Sequence, residues 1–406
     1  MVETTAANRR ELHLFRLYYF VSIGAGGFLL PFLSLFLRRQ GLSGTAIGLL
    51  GTIQAAIILL AAPFWGRWSD RMRQPRRLIQ AALVGTAVIG LILGRQDQFL
   101  WIALLLGANA LITAGVSPLS DNLASSLSER LDNVGFGSIR LWGSLGWTAV
   151  TAVAGRLIEL WGLYVAFVGH AAGMVLGAAT LTLLPPASQP PASQETTPQG
   201  AWAENRETAV GATIGQALAA IRRSPALLSV TIALGISWLL GSGINQFEAI
   251  YLDELGAGET LIGLANALHA AVELPAMLWA DRIARRFSAG WLLRVSFIVQ
   301  AARMVAVLLF PTVAVIMGVR ILVGIQFSFF NVGLIGTVRT HSSRTMRATT
   351  LALITITLRN LAVMISNPAS GFIFDTVGAY WLYGLGLLGA IGGWVALREH
   401  NQPAMI

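Results

Sequence analysis

The sequence predicts an all-α membrane protein of twelve transmembrane helices arranged as two six-helix bundles. Of its 406 residues, 55% are hydrophobic and 12% are charged, and the mean hydropathy is +0.67, which lies outside the range of soluble globular proteins. Apolar runs of about 20 residues recur along the whole chain, and each could cross roughly 30 Å of hydrocarbon as a helix. A segment of the first half also returns in the second half, which divides the chain into two similar units.

The apolar runs are the candidate helices. They lie at 14–37, 46–65, 78–94, 98–126, 139–160, 162–184, 226–250, 260–280, 290–309, 312–338, 348–371 and 378–397. The first run follows Arg9 and Arg10, but it is longer than the apolar region of a signal peptide, and no small-residue cleavage site follows it. We therefore expect it to remain in the protein as the first transmembrane helix.

The 28 basic residues, all of them arginines, predict the orientation of these helices. Three loops hold eleven of these arginines: Arg67, Arg71, Arg73, Arg76 and Arg77 in the first, Arg282, Arg285 and Arg286 in the second, and Arg339, Arg344 and Arg347 in the third. The opposite side has Arg38, Arg39 and Arg95 together with Asp253, Glu254 and Glu259. Because basic loops stay in the cytoplasm, we expect both termini to be cytoplasmic and the protein to lie in the plasma (inner) membrane.

The internal repeat predicts how the helices are grouped. The segment "GLSGTAIGLL" followed by "PFWGRWSDR" (41–71) returns as "GAGETLIGLA" followed by "PAMLWADR" (256–282). Both Asp-Arg loops must lie on one side of the membrane, so each half needs an even number of helices, related by an axis along the membrane normal. We predict an N-terminal bundle at 1–184, a cytoplasmic linker with a short amphipathic helix at 185–225, and a C-terminal bundle at 226–406.

The composition argues against several classes of function. The chain has no cysteine, which excludes disulfides and thiolate metal sites. It also lacks a Gly-rich phosphate-binding loop, a cluster of metal ligands and a nucleophile paired with a base, so we expect no enzymatic activity, no cofactor and no metal. The net charge of +9 lies in short loops between helices, where it indicates topology and not nucleic-acid binding.

Several segments resemble a known family. "GRWSDRMRQPRR" after the second run and "ADRIARR" after the eighth are similar to the signature loops of the major facilitator superfamily. "PLSD" (118–121), "RLWGSLGW" (140–147) and the stretch from "LDELGAGETLIGL" to "VELP" resemble the branch that contains lactose permease, nucleoside symporters and phenylpropionate permeases. The resemblance implies a secondary transporter whose two bundles rock around a central site.

A charged pair in the first half is the first candidate for that site. A charge inside the membrane is unfavourable unless it faces a cavity or a partner, so Arg140 in the fifth run needs a carboxylate such as Asp121 in the fourth. Polar stripes at helical spacing contain both residues and are expected to line one cavity. The stripes are Asn109, Thr113, Ser117, Asp121 and Ser125 on the fourth helix, and Arg140, Ser144, Thr148, Thr151 and Gly155 on the fifth.

Trp147 lies two turns after Arg140 on the same face, where its ring could stack on a solute. The resemblance implies substrate binding by all three residues, because the branch has a helix-four carboxylate, a helix-five arginine and a stacking tryptophan at similar positions. The alternative is structural: Asp121 and Arg140 form a static salt bridge, and Trp147 fills space.

The second half supplies further candidates. Asn245 and Glu248 belong to a polar stripe on the seventh helix, and His269 and Glu273 lie one turn apart on the eighth. Burial of a carboxyl group favours its protonated form, and a neighbouring imidazole tunes the exchange. Glu273 is therefore the first candidate for the coupled proton and Asp121 the second, and the resemblance agrees, since a helix-eight acid serves coupling in this branch.

Three arginines, Arg303, Arg320 and Arg359, add fixed cations in helices nine, ten and eleven. They could recognise an anionic or strongly hydroxylated solute through forked hydrogen bonds, or they could pair with Glu248 and Glu273. Where lactose permease has a titratable histidine and glutamate in helix ten, this chain has residues such as Val323 and Gln326. The complete predicted substrate-binding set is Asp121, Arg140, Ser144, Trp147, Asn245, Glu248, His269, Arg303, Asn331 and Arg359.

The Asp-Arg loops are implied to be gates. Asp70 and Asp281 lie at cytoplasmic helix ends, where a carboxylate can hold arginines or a helix N-terminus of the other half and favour the inward-closed state. The predicted gating set is Asp70, Arg71, Arg77, Asp281 and Arg282. The first loop has Arg73 where the family has a glycine two residues after Arg71.

The sequence thus predicts a proton-coupled symporter for a small organic solute such as a sugar, nucleoside or aromatic acid. Its expected partners are the solute, the proton and the lipid bilayer, and we expect a monomer. Three alternatives stay open. An efflux antiporter would normally have a Gly-Pro motif in helix five, which "GSLGWTAVTAVAG" lacks; a lipid flippase would need a wide apolar cavity; a receptor of the same fold would not transport.

Overall fold

The computed structural model describes residues 6–71, 75–131, 134–184, 214–284 and 286–397, except for the side chains of a few residues within these ranges. Throughout the described ranges the regular secondary structure is entirely helical, which confirms the predicted all-α class. The predicted linker lies outside the described residues up to residue 213. The segment 214–223, where the sequence predicts an amphipathic helix, is helical.

The helices of the first half follow the predicted runs closely. α1 comprises Ala6–Leu29 and a short continuation at Leu33–Arg39, α2 is Gly44–Arg71, α3 is Pro75–Leu93, α4 comprises Phe99–Thr113 and Val116–Arg130, α5 is Phe136–Trp161, and α6 is Tyr164–Thr182.

The second half repeats this order. α7 is Pro225–Glu254, α8 is Glu259–Ala284, α9 is Ala289–Leu309, and α10 is Val313–His341. α11 starts as Arg347–Ala352, passes through a π-helical segment at Leu353–Leu358 and continues as Arg359–Val377, and α12 is Tyr380–Ala396.

Ten helices in the described part of the chain are long and apolar enough to cross a membrane, which makes the chain a multi-pass membrane protein. The two other predicted spans are α5 and α12. α12 has only 17 residues, and the apolar character of α5 is reduced by Arg140, Arg156 and Glu159. The count of twelve spans therefore stays a prediction.

Two predicted runs are interrupted. The first is broken at residues 30–32, because Pro31 has no N–H group with which to continue the helical hydrogen bonds. Within the predicted run at 98–126, α4 has a short interruption at Ala114 and Gly115, although Phe99–Arg130 remains one candidate span. Gly115 lies against the indole of Trp65 on α2, where a Cβ atom would overlap with the ring. The break thus lies at a position of α4 where any side chain would overlap with the Trp65 ring.

Most helix packing occurs within each half. In the first half α1 packs on α5 and α6, and α3 packs on α6; in the second half α7 packs on α11 and α12, and α9 packs on α10 and α12. The halves contact each other mainly through two helix pairs, α2 with α11 and α5 with α8. This arrangement leaves a central region between the halves that is bounded by these two pairs.

The contacts between the halves concentrate at one end of the helices, which we call the closed face. It contains the turns with Gly41, Gly162, Gly256 and Gly378, whose φ angles of 83°, 88°, 85° and 91° favour glycine. Near this face, a Cβ atom on Gly48 would overlap with the α11 backbone, and one on Gly155 would overlap with the α8 backbone. Small residues therefore let the paired helices touch backbone to backbone.

Candidate functional site

The first polar cluster lies among α1, α4 and α5. The Tyr19 hydroxyl donates a hydrogen bond of 2.7 Å to Asp121 Oδ1, and the Ser117 hydroxyl lies 3.4 Å from Asp121 Oδ2. Arg140 Nε lies 3.8 Å from Asp121 Oδ1, and the Arg140 guanidinium carbon lies 5.7 Å from the centre of the Tyr19 ring. The structure thus brings Asp121 and Arg140 together and adds Tyr19, which the sequence did not single out.

The pair of Asp121 and Arg140 is loose. Its side chains are 37% and 40% exposed, and an ion pair of this length and exposure contributes little to stability. A short hydrogen bond from Tyr19 holds the carboxylate instead. The Arg140 guanidinium is therefore only partly committed to Asp121 and can bind a second anion.

Trp147 packs across α1. Its ring lies 3.1 Å from the position that a Cβ atom would take on Gly26, and the side chain is half-buried. Ser144 and Thr148, which lie near it on α5, are also half-buried, and the Thr148 hydroxyl donates to the Ser144 carbonyl. The lack of a side chain on Gly26 therefore gives the indole room to pack against α1.

The polar stripe on α5 does not line a cavity along its whole length. Thr151 is fully buried and lies against Gly27 of α1. Gly155 lies against Gly263 of α8, where neither residue has room for a side chain. The expectation is wrong for these two turns of α5, because close packing against α1 and α8 occupies them.

The second polar cluster lies among α7, α9, α10 and α12. Glu248 is 5% exposed; its Oε2 lies 2.5 Å from Arg320 Nη2, and its Oε1 accepts a hydrogen bond of 2.9 Å from the Tyr383 hydroxyl. The Arg303 guanidinium is close enough to interact electrostatically with Glu248 and with Arg320. Of the two roles that the sequence allows for Arg320, the structure contains the pairing with Glu248.

A neutral network continues from this cluster. Gln300 lies one turn before Arg303 on α9, and its Oε1 accepts hydrogen bonds from Ser237 at 3.2 Å and from Gln326 at 3.3 Å. Gln326 is one of the helix-ten positions that do not titrate. It therefore acts here as a hydrogen-bond donor that fixes Gln300.

Glu273 of α8 faces the first half. The charged group that acts on its carboxylate is Arg140, and no described residue donates a hydrogen bond to that carboxylate. This conformation contains no ion pair between Glu273 and Arg303 or Arg359. Arg140 lies between two acids, Asp121 of its own half and Glu273 of the other.

His269 lies one turn before Glu273 and belongs to the second cluster. Its imidazole is within electrostatic range of Arg320, Arg303 and Glu248. Its ring contacts Phe327 edge-on, with centroids 6.5 Å apart. α8 thus connects the two clusters, with His269 at one of them and Glu273 at the other.

Three predicted substrate-binding residues are not part of either cluster. Asn331 donates a hydrogen bond to the Phe327 carbonyl of its own helix. Asn245 and Arg359 are exposed, and neither forms a hydrogen bond or ion pair with another described residue.

The predicted gating residues are only partly described. Asp70 and Arg71 belong to the last turn of α2, and Asp281 belongs to the last turn of α8, but the side chains of all three lie outside the described part. Arg77 and Arg282 are exposed. The assignment of a gate to these loops stays a prediction.

The closed face contains two acid contacts that sequence reasoning missed. Asp375, near the end of α11, accepts hydrogen bonds from the N–H groups of Gly44 and Thr45 at 2.6 and 2.8 Å. Glu159, near the end of α5, accepts one from the N–H group of Thr260 at 3.0 Å. Each acid thereby caps the first turn of a helix of the other half.

An ion-pair network lies at the same face. Arg39 forms a pair of 2.8 Å with Asp253 and a pair of 2.7 Å with Glu259. Its side chain is 43% exposed, so the network is screened by solvent and is a weaker connection than the backbone contacts.

Comparison with known proteins agrees with this architecture. Residues 12–385 match the model of the MFS_1 like family. The maltose permease of Geobacillus stearothermophilus is 34% identical over 307 residues, which cover 74% of this chain and 71% of that protein. The probable 3-phenylpropionic acid transporter of Escherichia coli K12 is 27% identical over 70% of this chain and 71% of that protein.

Among solved structures, the nucleoside transporter NupG superposes with a TM-score of 0.76 over 97% of this chain and 98% of its own, at 15% identity. At that identity the similarity concerns the fold alone. The family match over nearly the whole chain and the similarity to the maltose permease lead to one conclusion: the chain belongs to the MFS_1 like family, within the major facilitator superfamily of membrane transporters.

Proposed function

We propose that the protein is a proton-coupled symporter that moves a small organic solute by alternating access. The observation that carries the proposal is the position of Arg140, which lies between Asp121 of its own half and Glu273 of the other half. Because Arg140 can interact with an acid of each half, it can respond both to protonation of Glu273 and to a solute bound between the bundles. The protein is proposed to act as a monomer in the inner membrane.

The closed face supports alternating access. The hydrogen bonds and ion pairs between described residues of the two halves lie at this face and in the adjacent parts of the helices. Under the predicted topology the closed face is extracellular, so this conformation would admit solute from the cytoplasmic side. Rocking of residues 1–184 against 226–406 would then expose the central site to the other side.

The relatives suggest the range of solutes to test. Their names mention maltose, a nucleoside and 3-phenylpropionic acid. These solutes share polar groups on a ring or a ringed skeleton, which agrees with a site of charged side chains near an indole. The predicted substrate-binding set is proposed as the site, with Tyr19 and Tyr383 as the residues that orient Asp121 and Glu248.

A transport assay tests the proposal. The purified protein is reconstituted into proteoliposomes, and uptake of labelled maltose, uridine and 3-phenylpropionate is measured with and without an inward proton gradient. Accumulation of at least one solute above its outside concentration, abolished by a protonophore, is expected. If no solute accumulates and none raises the apparent melting temperature, a non-transporting receptor of the same fold becomes the better explanation.

Arg140→Ala and Trp147→Ala are expected to weaken binding of the transported solute without preventing folding. Loss of hydrogen bonds to a charged group should weaken affinity about 10- to 100-fold, and loss of ring stacking should weaken it about 3- to 10-fold. Binding is measured on purified variants by displacement of labelled solute. Trp142→Ala, whose ring lies on another, exposed side of α5, serves as the control, and near-wild-type affinity in both variants would refute the central site.

Asp70→Asn is expected to shift the protein toward the inward-open state, because it removes a carboxylate from the Asp-Arg loop after α2. The chain has no cysteine, so one introduced cysteine reports accessibility without background. A cysteine at Ser144 should react faster with an impermeant maleimide from the cytoplasmic side and slower from the outside. Equal rates in variant and parent on both sides would contradict the gate.

A further inference from the structure

The second polar cluster contains more positive than negative charge. Two guanidinium groups, those of Arg303 and Arg320, are grouped around one carboxylate, that of Glu248. Oε2 of this carboxylate pairs with Arg320 and Oε1 accepts the Tyr383 hydroxyl, and neither oxygen accepts a hydrogen bond from Arg303. The cluster therefore has one guanidinium in excess.

Arg303 is that guanidinium. This residue is only 7% exposed, and its Nε atom is buried without a hydrogen-bond partner. No described residue accepts a hydrogen bond from its guanidinium or forms an ion pair with it. Arg320 also has a buried Nε atom without a partner. Buried guanidinium groups are normally paired, because an unpaired buried charge loses its hydration without compensation.

The other acids of the central region cannot supply the missing acceptor in this conformation. Asp121 is held by Tyr19 and lies near Arg140, and Glu273 is likewise attracted by Arg140. The polar neighbour one turn before Arg303, Gln300, already uses its Oε1 for Ser237 and Gln326. No described residue therefore supplies an acceptor for Arg303 in this conformation.

We propose that Arg303, together with the free edge of Arg320, is a subsite for the carboxylate group of the transported solute. The inference rests on the proposed transport function and adds the chemical class of the solute. A guanidinium fork matches the two oxygens of a carboxylate, and a single negative charge balances the one excess positive charge of the cluster. A phosphate monoester with two charges would instead leave an excess of negative charge.

Matched pairs of ligands test this subsite. The full-length protein in nanodiscs is heated with 3-phenylpropionate or with its neutral amide, and with D-glucuronate or with D-glucose, at equal ionic strength. At saturation we expect at least one carboxylate to raise the apparent melting temperature by about 3 °C and its neutral partner to have no effect. No shift with either carboxylate, equal shifts within each pair, or equal shifts with chloride or glucose 6-phosphate, would overturn the proposal.

Variants of the wild-type protein separate binding from folding. Arg303→Gln should lower carboxylate affinity by at least about tenfold, whereas its melting temperature without ligand should stay equal or rise, because an unpaired buried charge is removed. Arg303→Lys should keep part of the affinity. Arg294→Gln is the control on the same helix, where Arg294 donates to the Leu397 carbonyl away from the cluster. A lower melting temperature of Arg303→Gln without ligand, with unchanged carboxylate affinity, would mean a structural role and refute the subsite.

Transport assays distinguish the carboxylate subsite from the proposed symport. Accumulation of a neutral solute that is insensitive to Arg303→Gln would leave the symporter standing and overturn the carboxylate subsite. Carboxylate binding that depends on Arg303, without accumulation of that carboxylate under a proton gradient, would support the subsite and contradict the proposed symport.

Discussion

Glu273→Gln is expected to abolish solute accumulation driven by a pH gradient and to preserve exchange of solute across the membrane. Glutamine resembles the protonated acid but cannot release a proton, whereas exchange requires only that the loaded carrier reorients. For one proton per solute, a gradient of one pH unit is worth about 1.4 kcal/mol, or about tenfold accumulation. In the variant the ratio of inside to outside concentration should fall to about one.

The assay measures net uptake and counterflow in the same proteoliposomes. Glu129→Gln is a matched control, because Glu129 is an exposed carboxylate at the end of α4 that forms no hydrogen bond or ion pair with another described residue. It should accumulate solute like the parent. Continued accumulation by Glu273→Gln would mean that Asp121 or Glu248 carries the proton, or that another ion is coupled.

The position of Arg140 explains why Glu273 is preferred over the other acids. Glu248 is held by Arg320 and Tyr383 at short distances, and Asp121 by Tyr19, so both carboxylates have partners within their own half. Glu273 has only its electrostatic attraction to Arg140. Protonation of Glu273 would release Arg140 from the second half at little cost, and the freed guanidinium could then bind solute.

The fold was largely predictable because its signals are local. Runs of apolar residues and clusters of arginines identify helices and loops without knowledge of their partners. The details that the sequence does not predict lie where packing intervenes. Gly115, at the interruption of α4, lies against the ring of Trp65 on another helix, and no signal within 98–126 gives the position of that ring.

The site was predictable as a set of charged residues but not as a set of pairs. Mid-membrane charges are unusual enough to be found in the sequence, and Asp121, Arg140, Glu248 and Glu273 were found in this way. Their partners depend on helix rotation and on the angle between the halves, which periodicity does not give. Tyr19 and Tyr383 were missed for this reason, because a tyrosine in an apolar run gives no sign of the carboxylate it contacts.

The two acid caps at the closed face did leave a signal. Glu159 begins the segment "ELWG" at the end of α5, and Asp375 begins "DTVG" at the end of α11. Each is an acid three residues before a glycine with positive φ, and α5 and α11 occupy the same place in the two halves. A search for acid-x-x-Gly at matching positions of the repeat would have found both.

Removing both caps, with Glu159→Ala and Asp375→Ala together, is expected to open the closed face. Each carboxylate accepts hydrogen bonds from the first turn of a helix in the other half. Because solvent screens such exposed contacts, each cap contributes only modestly to the closed conformation. The two caps form only while the halves touch at this face. Their loss therefore raises the free energy of the present conformation relative to a conformation in which the halves have separated here. Together their loss should shift that equilibrium toward the open form by about threefold to fivefold.

Single-cysteine labelling measures this shift, because the chain has no cysteine of its own. A cysteine at Thr148, a half-buried position of the polar stripe on α5, should react with an impermeant maleimide added at the closed face up to about fivefold faster in the double variant. Each single variant should give a smaller increase, and the two increases should multiply if the caps act independently. Asp97→Ala, which removes an exposed carboxylate at the same face that has no contact with another described charged group, should leave the rate unchanged. An unchanged rate in the double variant would mean that the backbone contacts at Gly48 and Gly155 hold the face closed without the acids.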